Sequence, residues 1–174
     1  HKISLPIFEN CNNRLILGNH SLKQLNIINS GEGKGKVASV STYINLCVTS
    51  MGRRKLNQIL VAPTFDSEFL QKEYDQCEYL CDNSDTKEHI RSSLKSMKDL
   101  EKLNRKLILK RITPSDLYYL HNNIVSSHGL FQWLYEMTSM TEYIESYINH
   151  DKFIDSQKIV DTISTKLKLS ECCD

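Results

Sequence analysis

The stretch Asn29–Ser39, NSGEGKGKVAS, alternates glycine with lysine and ends on a hydroxyl, the ingredients of a phosphate-cradling loop. Such a loop needs the spacing G-x-x-x-x-G-K-[ST], so that backbone N–H groups, lysine and hydroxyl converge on one phosphate chain. Here the spacing fails. For Gly35-Lys36 the first glycine is Ser30 and the hydroxyl position is Val37; for Gly33-Lys34 they are Ile28 and Gly35. The dinucleotide pattern G-x-G-x-x-G fails as well, because Gly31 and Gly33 are followed by Lys36. A flexible, solvated connector is the expected role, since glycine has no preferred backbone well and lysine keeps it wet.

Metal and nucleophile chemistry come next. Cys77 and Cys81 lie four apart on a predicted helix, and His121 and His128 lie seven apart on another, a donor set that zinc accepts. Both cysteines fall on the apolar stripe, however, where free thiols are commonly buried core residues. Nucleophilic catalysis requires a thiol or hydroxyl beside a base and an orienting partner, and no local signature such as G-x-S-x-G is present. No catalytic, cofactor or metal residue is therefore expected in this segment. The six cysteines, at 11, 47, 77, 81, 172 and 173, form no C-x-x-C pairs. They point to reduced thiols in an intracellular compartment.

Length and charge set the frame for these residues. A chain of 174 residues can bury one core. Its 22 basic and 21 acidic residues leave a net charge of +1, no overall footprint for nucleic acid. No run approaches the length of a membrane span. The chain opens on His1 without a signal-peptide pattern, as expected for a piece of a longer protein.

The elements read as mostly helical. Arg14–Gly18 and Leu25–Ile28 are short strand candidates, so residues 1–36 are expected to be an extended, strand-containing segment plus the Gly/Lys connector. From residue 37 to 174 the apolar period is helical. Val40, Ile44, Cys47, Val48 and Met51 lead into Leu56, Ile59 and Leu60, with a bend expected at Gly52 and a stop at Pro63. Asp66 caps a second helix, and Asp85 with Glu88 resembles a capping box for a third, which carries Ile90, Leu94 and Met97 and then Leu100, Leu103 and Leu107. Thr113-Pro114-Ser115-Asp116 combines a capping hydroxyl, a first-turn proline and a third-position acid, and so starts another helix. Met140–Ile148 and Ile159–Leu167 supply two more amphipathic runs. The basic run Leu103–Arg111 suits a solvated helix C-terminus, where cations favour the dipole.

Three of these stretches, in this order, resemble the MutS family of DNA mismatch-repair ATPases. CVTSMGRRKLNQILVAP matches that family's T-x-x-G-x-R-x-L segment ending in proline, through Thr49, Gly52, Arg54, Leu56 and Pro63. LKSMKDLEKLNRK is similar to its D-L-E-R-L-x-x-R segment, through Asp99, Leu100, Glu101, Leu103 and Arg105, and ITPSDLYYL to its next helix start, through Pro114, Asp116 and Leu117. Tyr74 and Lys102 stand where the family carries arginine. The likeness runs from about Leu15 to Leu120.

The resemblance implies a multi-helix lever, or core, segment that is not itself an enzyme and ends near a DNA-gripping clamp. ATP and Mg would act in a separate ATPase domain of the parent protein. Mismatched or damaged double-stranded DNA and a second MutS-like subunit would be its partners, with no membrane involved. In that role packed helices relay displacement as rigid bodies. Gly52 and the connector at 31–36 are candidate bend points, and Arg54, Asp99, Glu101 and Arg105 are candidates for polar fastening between helices, Arg54 by setting a packing angle. Two alternatives stay open: a stand-alone helical adaptor that binds another protein, and a metal-dependent enzyme using the Cys/His set. The lever predicts apolar surface left bare, because its returning helices lie outside the segment.

Overall fold

Helix ends and polar caps, more than apolar mass, organise this chain. The structure, a computed structural model, describes residues 13–29, 31, 34, 35 and 37–172. Cys11, Cys173 and the connector residues Ser30, Gly33 and Lys36 lie outside the described residues. The described chain is mainly α, with helices α1 (Asn19–Gln24), α2 (Val40–Ile44), α3 (Ser50–Val61), α4 (Ser67–Asp82), α5 (Ser84–Lys95), α6 (Leu100–Ile108), α7 (Pro114–Tyr135), α8 (Thr138–Tyr147) and α9 (His150–Lys166). Its internal contacts divide it into two units. One comprises His1–Asn45 with Arg54–Gln71, and the other comprises Leu46–Arg53 with Lys72–Asp174.

In the first unit the expected strands are absent among the described residues. Arg14 makes a single antiparallel bridge to Thr64, flanked by Leu15 N–H donating to the Pro63 carbonyl (2.8 Å) and Phe65 N–H to that of Asn13 (3.1 Å). Residues 15–18 meet no second ladder, so Arg14–Gly18 stays irregular. The sequence between the two strand candidates forms α1 instead. Asn26, at φ 48°, closes it: the Asn26 N–H donates to Lys23 and the Ile27 N–H to Leu22, a Schellman ending with asparagine in the left-handed position. Asn26 then holds the far end of the connector. Its Nδ2 donates to the Ala38 carbonyl (2.9 Å), while Val40 N–H and Ser41 N–H donate to the carbonyls of Asn26 and Ile27 (both 2.9 Å). These bonds bring residues 26 and 27 together with residues 38–41.

The run from Val40 to Met51 is interrupted earlier than Gly52. α2 stops at Ile44, and α3 begins only at Ser50, with Thr49 Oγ1 accepting the Gly52 N–H (3.0 Å). A capping threonine offers the backbone an alternative to continuing the helix, which a purely apolar period does not register. Gly52 therefore lies in the first turn of α3. A Cβ there would meet Thr49 Oγ1 at 3.0 Å and Cys47 Cβ at 3.4 Å, so a larger residue would have to displace the capping side chain.

The second unit is built around α7, which packs against α5, α6, α8 and α9. Its start follows the sequence reading. Thr113 Oγ1 accepts the Asp116 N–H and the Asp116 carboxylate accepts the Thr113 N–H (both 3.1 Å), a complete capping box with Pro114 behind it. The N-cap of α5 is Asn83, two residues before the Asp85 expected to cap it, and Asp85 lies in the first turn. The long run expected through Leu107 is two helices, separated at 96–99 and restarted by Asp99, whose carboxylate accepts the Lys102 N–H (3.2 Å). Leu103, Met140, Ile144, Val160 and Ile163 are the buried apolar residues of this unit among those described.

α6 ends without glycine. Lys110 adopts φ 55°, its N–H donates to Leu107 (3.0 Å), and the Arg111 N–H donates to Lys106 (2.9 Å). A residue with a Cβ pays about 1–2 kcal/mol for the left-handed region, whereas glycine gives back about 0.5–1 kcal/mol in unfolded-chain entropy. Lys110→Gly is therefore expected to raise stability by up to about 1 kcal/mol, measured by urea unfolding. A fall in stability would mean that the lysine side chain contributes more than its backbone costs.

Candidate functional site: a polar seam along α7

α7 carries apolar residues on all sides, as a helix with neighbours all round must. Yet its two buried residues are polar: Asp116 and Asn123. They lie seven apart, two turns, and so share a face. That face is directed at the segment 97–106.

Asn123, only 4% exposed, acts as a substitute peptide group. Its Oδ1 accepts the Lys98 N–H (3.0 Å) and its Nδ2 donates to the Lys98 carbonyl (2.9 Å). This pairing satisfies both backbone groups of Lys98 where α5 has ended and α6 has not begun, a stretch that has no helical partners of its own. The Lys98 ammonium lies 5.0 Å from the centroid of the Tyr119 ring, also on α7.

Asp116 anchors the other end. Its two carboxylate oxygens accept hydrogen bonds from Lys106 Nζ at 2.7 and 2.9 Å, joining the last turn of α6 to the first turn of α7. The Lys106 ammonium, helped by the Thr113 N–H, holds the Asp116 carboxyl below the usual carboxylate range.

On α9, Ser164 and Ser156 meet the Nε2 atoms of His121 (3.0 Å) and His128 (2.8 Å), and Gln157 Oε1 lies 3.1 Å from His128 Nδ1. Toward α5, the His89 and Trp133 rings meet with centroids 4.1 Å apart and planes tilted by 41°. A separate polar junction ties α4 to α8: Tyr143 Oη (2.9 Å) and Tyr147 Oη (2.5 Å) both donate to Glu73 Oε1. Burial first, and then the Glu73 carboxylate, push both phenols above their ordinary range.

The sequence-derived candidates are placed as follows. Arg54 lies on α3, partly buried, with Nε out of contact with solvent. Asp99 caps α6; Glu101 is in the exposed first turn of that helix and Arg105 in its exposed last turn. Gly52 serves the α3 capping turn. The structure adds Lys98, Lys106, Asn123 and Glu73, none of which the motifs had singled out. The two-turn spacing of Asn123 from Asp116 was the one available signal, and the polar neighbours His121, Asn122, Ser126 and Ser127 obscure it. Cys77 and Cys81 are exposed, contrary to the buried placement expected from the apolar stripe. The inward strip of α4 runs through Leu70, Glu73, Gln76, Tyr79 and Leu80, which leaves both thiols on its outer side. No group of three or more histidine, cysteine or acidic residues capable of holding a metal occurs among the described residues.

This geometry defines a class: a helical framework in which polar side chains serve helix ends and helix-to-helix fastening. Comparison with known proteins gives the class a family. The family model described as MutS domain III matches residues 20–171, and the chain belongs to the MutS family. A DNA mismatch repair mutS homolog of Acanthamoeba polyphaga mimivirus is 30% identical over 171 residues, covering 90% of this chain and 15% of that protein. The DNA mismatch repair protein MutS of Petrotoga mobilis is 28% identical over 149 residues, covering 78% of this chain and 18% of its own length. That of Chlamydia trachomatis is 23% identical over 168 residues, covering 95% of this chain and 20% of its own. The chain thus spans less than a quarter of the length of these relatives. No described helix is long and apolar enough to cross a membrane.

Proposed function

We propose that this chain is the lever segment of a MutS-like mismatch-repair protein, coupling ATP binding in a separate ATPase domain to clamping of mismatched or damaged double-stranded DNA. ATP with Mg would act elsewhere in the parent, which would work with a second MutS-like subunit, and the segment itself would make and break no bonds. The observation that carries this reading is the seam. α7 is fastened to α6, to the α5–α6 junction and to α9 by hydrogen bonds at several points along its length, so displacement at one helix is passed to its neighbours instead of being absorbed.

Bare apolar surface supports the same reading. Leu107, Ile108 and Leu109 close α6, with Ile108 72% exposed. Leu107, Leu117, Leu120, Ile159 and Ile163 line an open apolar groove between α6, α7 and α9. Apolar surface of this kind marks missing partners, and the rest of a parent chain would cover it. The free thiols of Cys47, Cys77, Cys81 and Cys172 accord with a reducing, intracellular setting.

In the full-length parent, Arg54→Ala is expected to reduce the ATP-dependent change in affinity for mismatched DNA by about fivefold or more, the scale of ordinary coupling energies, with ATP binding retained. Fluorescence anisotropy of labelled mismatched DNA with and without ATP reads this directly. Unchanged coupling removes Arg54 from the mechanism. Unchanged coupling in Asn123→Ala as well, at a temperature where that variant is folded, removes the lever reading itself.

A further inference from the structure

The corner between α6 and α7, residues 109–113, is closed at its two ends by Lys106 and Asp116, which are also bound to each other. At the α6 end the Arg111 N–H is held by the Lys106 carbonyl, with Lys110 in the left-handed region. At the α7 end the Thr113 N–H is held by the Asp116 carboxylate. Between the ends, Lys106 Nζ is bound to both Asp116 oxygens at 2.7 and 2.9 Å. Lys106 therefore supplies its carbonyl to one closure and its ammonium to the link, while Asp116 supplies one carboxylate to the other closure and to the same link.

Sharing has a mechanical consequence. Swinging α6 away from α7 breaks the ammonium–carboxylate contact and takes a partner from the carboxylate that also closes the α7 end on the Thr113 N–H. We propose that this corner is a two-state latch, shut while Lys106 engages Asp116, and that Asp116 is the positioning residue that sets the α6–α7 angle. The strained backbone at Lys110 suits such a role, because a left-handed residue with a Cβ persists only where its surroundings impose it. The apolar groove lies against the same two helices, through Leu107 of α6 and Leu117 and Leu120 of α7, so opening the corner alters the groove as well. The latch is a property of this unit and does not rest on the lever reading.

Spin labels introduced as unnatural residues at Lys102 on α6 and Ser126 on α7, both exposed, report the angle as a distance distribution. The unsubstituted chain should give one narrow peak. Asp116→Asn keeps an oxygen for the Thr113 N–H but loses the charge; it should broaden or split the peak while helix content by circular dichroism stays unchanged. Lys106→Met, which leaves the α7 cap untouched, should do the same, and Lys106→Arg should restore a single peak. Thr113→Val removes a capping oxygen but not the link, and should leave the peak narrow. A distribution in Lys106→Met as narrow as in the parent chain overturns the latch. So does broadening in Thr113→Val equal to that in Asp116→Asn, which would assign the angle to the cap alone.

Discussion

Asn123→Ala is expected to destabilise the α5–α9 unit by about 2–4 kcal/mol, more than any exposed charge in the segment should cost. Each of the two hydrogen bonds removed leaves a backbone group of Lys98 without its partner, and an orphaned group of this kind costs about 1–3 kcal/mol. The side chain of Lys98 is exposed, so water can reach part of the vacated site, which keeps the total below the sum of the upper limits. Asn123→Asp separates the two bonds. It retains an acceptor for the Lys98 N–H but replaces the donor to the Lys98 carbonyl with a second acceptor, two oxygens facing one another. Asn123→Asp should therefore be no more stable than Asn123→Ala at neutral pH, and should recover as the pH is lowered and the new carboxyl takes up a proton. Urea midpoints of the three proteins at pH 4.5 and 7.5 test this. Loss of less than about 1 kcal/mol in Asn123→Ala, a typical value for a single surface bond, would show that the seam is decoration.

Why this seam escapes sequence reading is a matter of what its partners are. Asn123 pairs with a main chain, and main-chain groups are the same at every position, so no residue type at 98 announces the contact. Lys106 sits in a basic run that any solvated helix end could carry, and only the fold reveals that Asp116 lies within reach. Thr113-Pro114-Ser115-Asp116, by contrast, is local. Its donors and acceptors lie within four residues, and the capping box stood as the motif required. The same distinction explains the misplaced boundaries. Val40 to Met51 keeps its apolar period across a break that a threonine side chain imposes, and α6 stops at a left-handed lysine where a glycine would have given notice. The mostly helical class was legible because periodicity is also local. The strand candidates failed because a strand exists only by virtue of its neighbour, and Arg14 finds one residue, Thr64, with which to pair.

The seam also bears on acid sensitivity. Asp116 is held below the ordinary carboxylate range in the folded chain, so the folded state binds its proton more weakly than the unfolded state does. The resulting stability is present above the unfolded carboxyl pKa of about 4 and is lost as the pH falls through the lower, folded value. Acid should therefore weaken the Lys106–Asp116 link at the α6–α7 corner as the carboxylate takes up its proton, a loss read by urea unfolding at falling pH.

Leu103→Ala is the apolar counterpart, with an expected loss of about 2–4 kcal/mol. Leu103 is the buried residue of α6, 6% exposed, while Leu107 and Ile108 of the same helix lie open. Removing a buried leucine side chain costs its transfer free energy plus a term for the cavity that remains, about 2–5 kcal/mol in all. The lower part of that range applies because no described side chain in this protein is excluded from solvent completely, so the site can partly collapse. The comparison with Leu107→Ala decides how α6 is held. If α6 rests on its apolar face, Leu103→Ala should unfold at a clearly lower urea concentration and Leu107→Ala, at an exposed position, should lose under about 1 kcal/mol. Equal losses in the two would mean that the groove beside Leu107 is filled in solution, and that the chain self-associates through it. A concentration-dependent unfolding midpoint would separate that case from a simple misjudgement of burial.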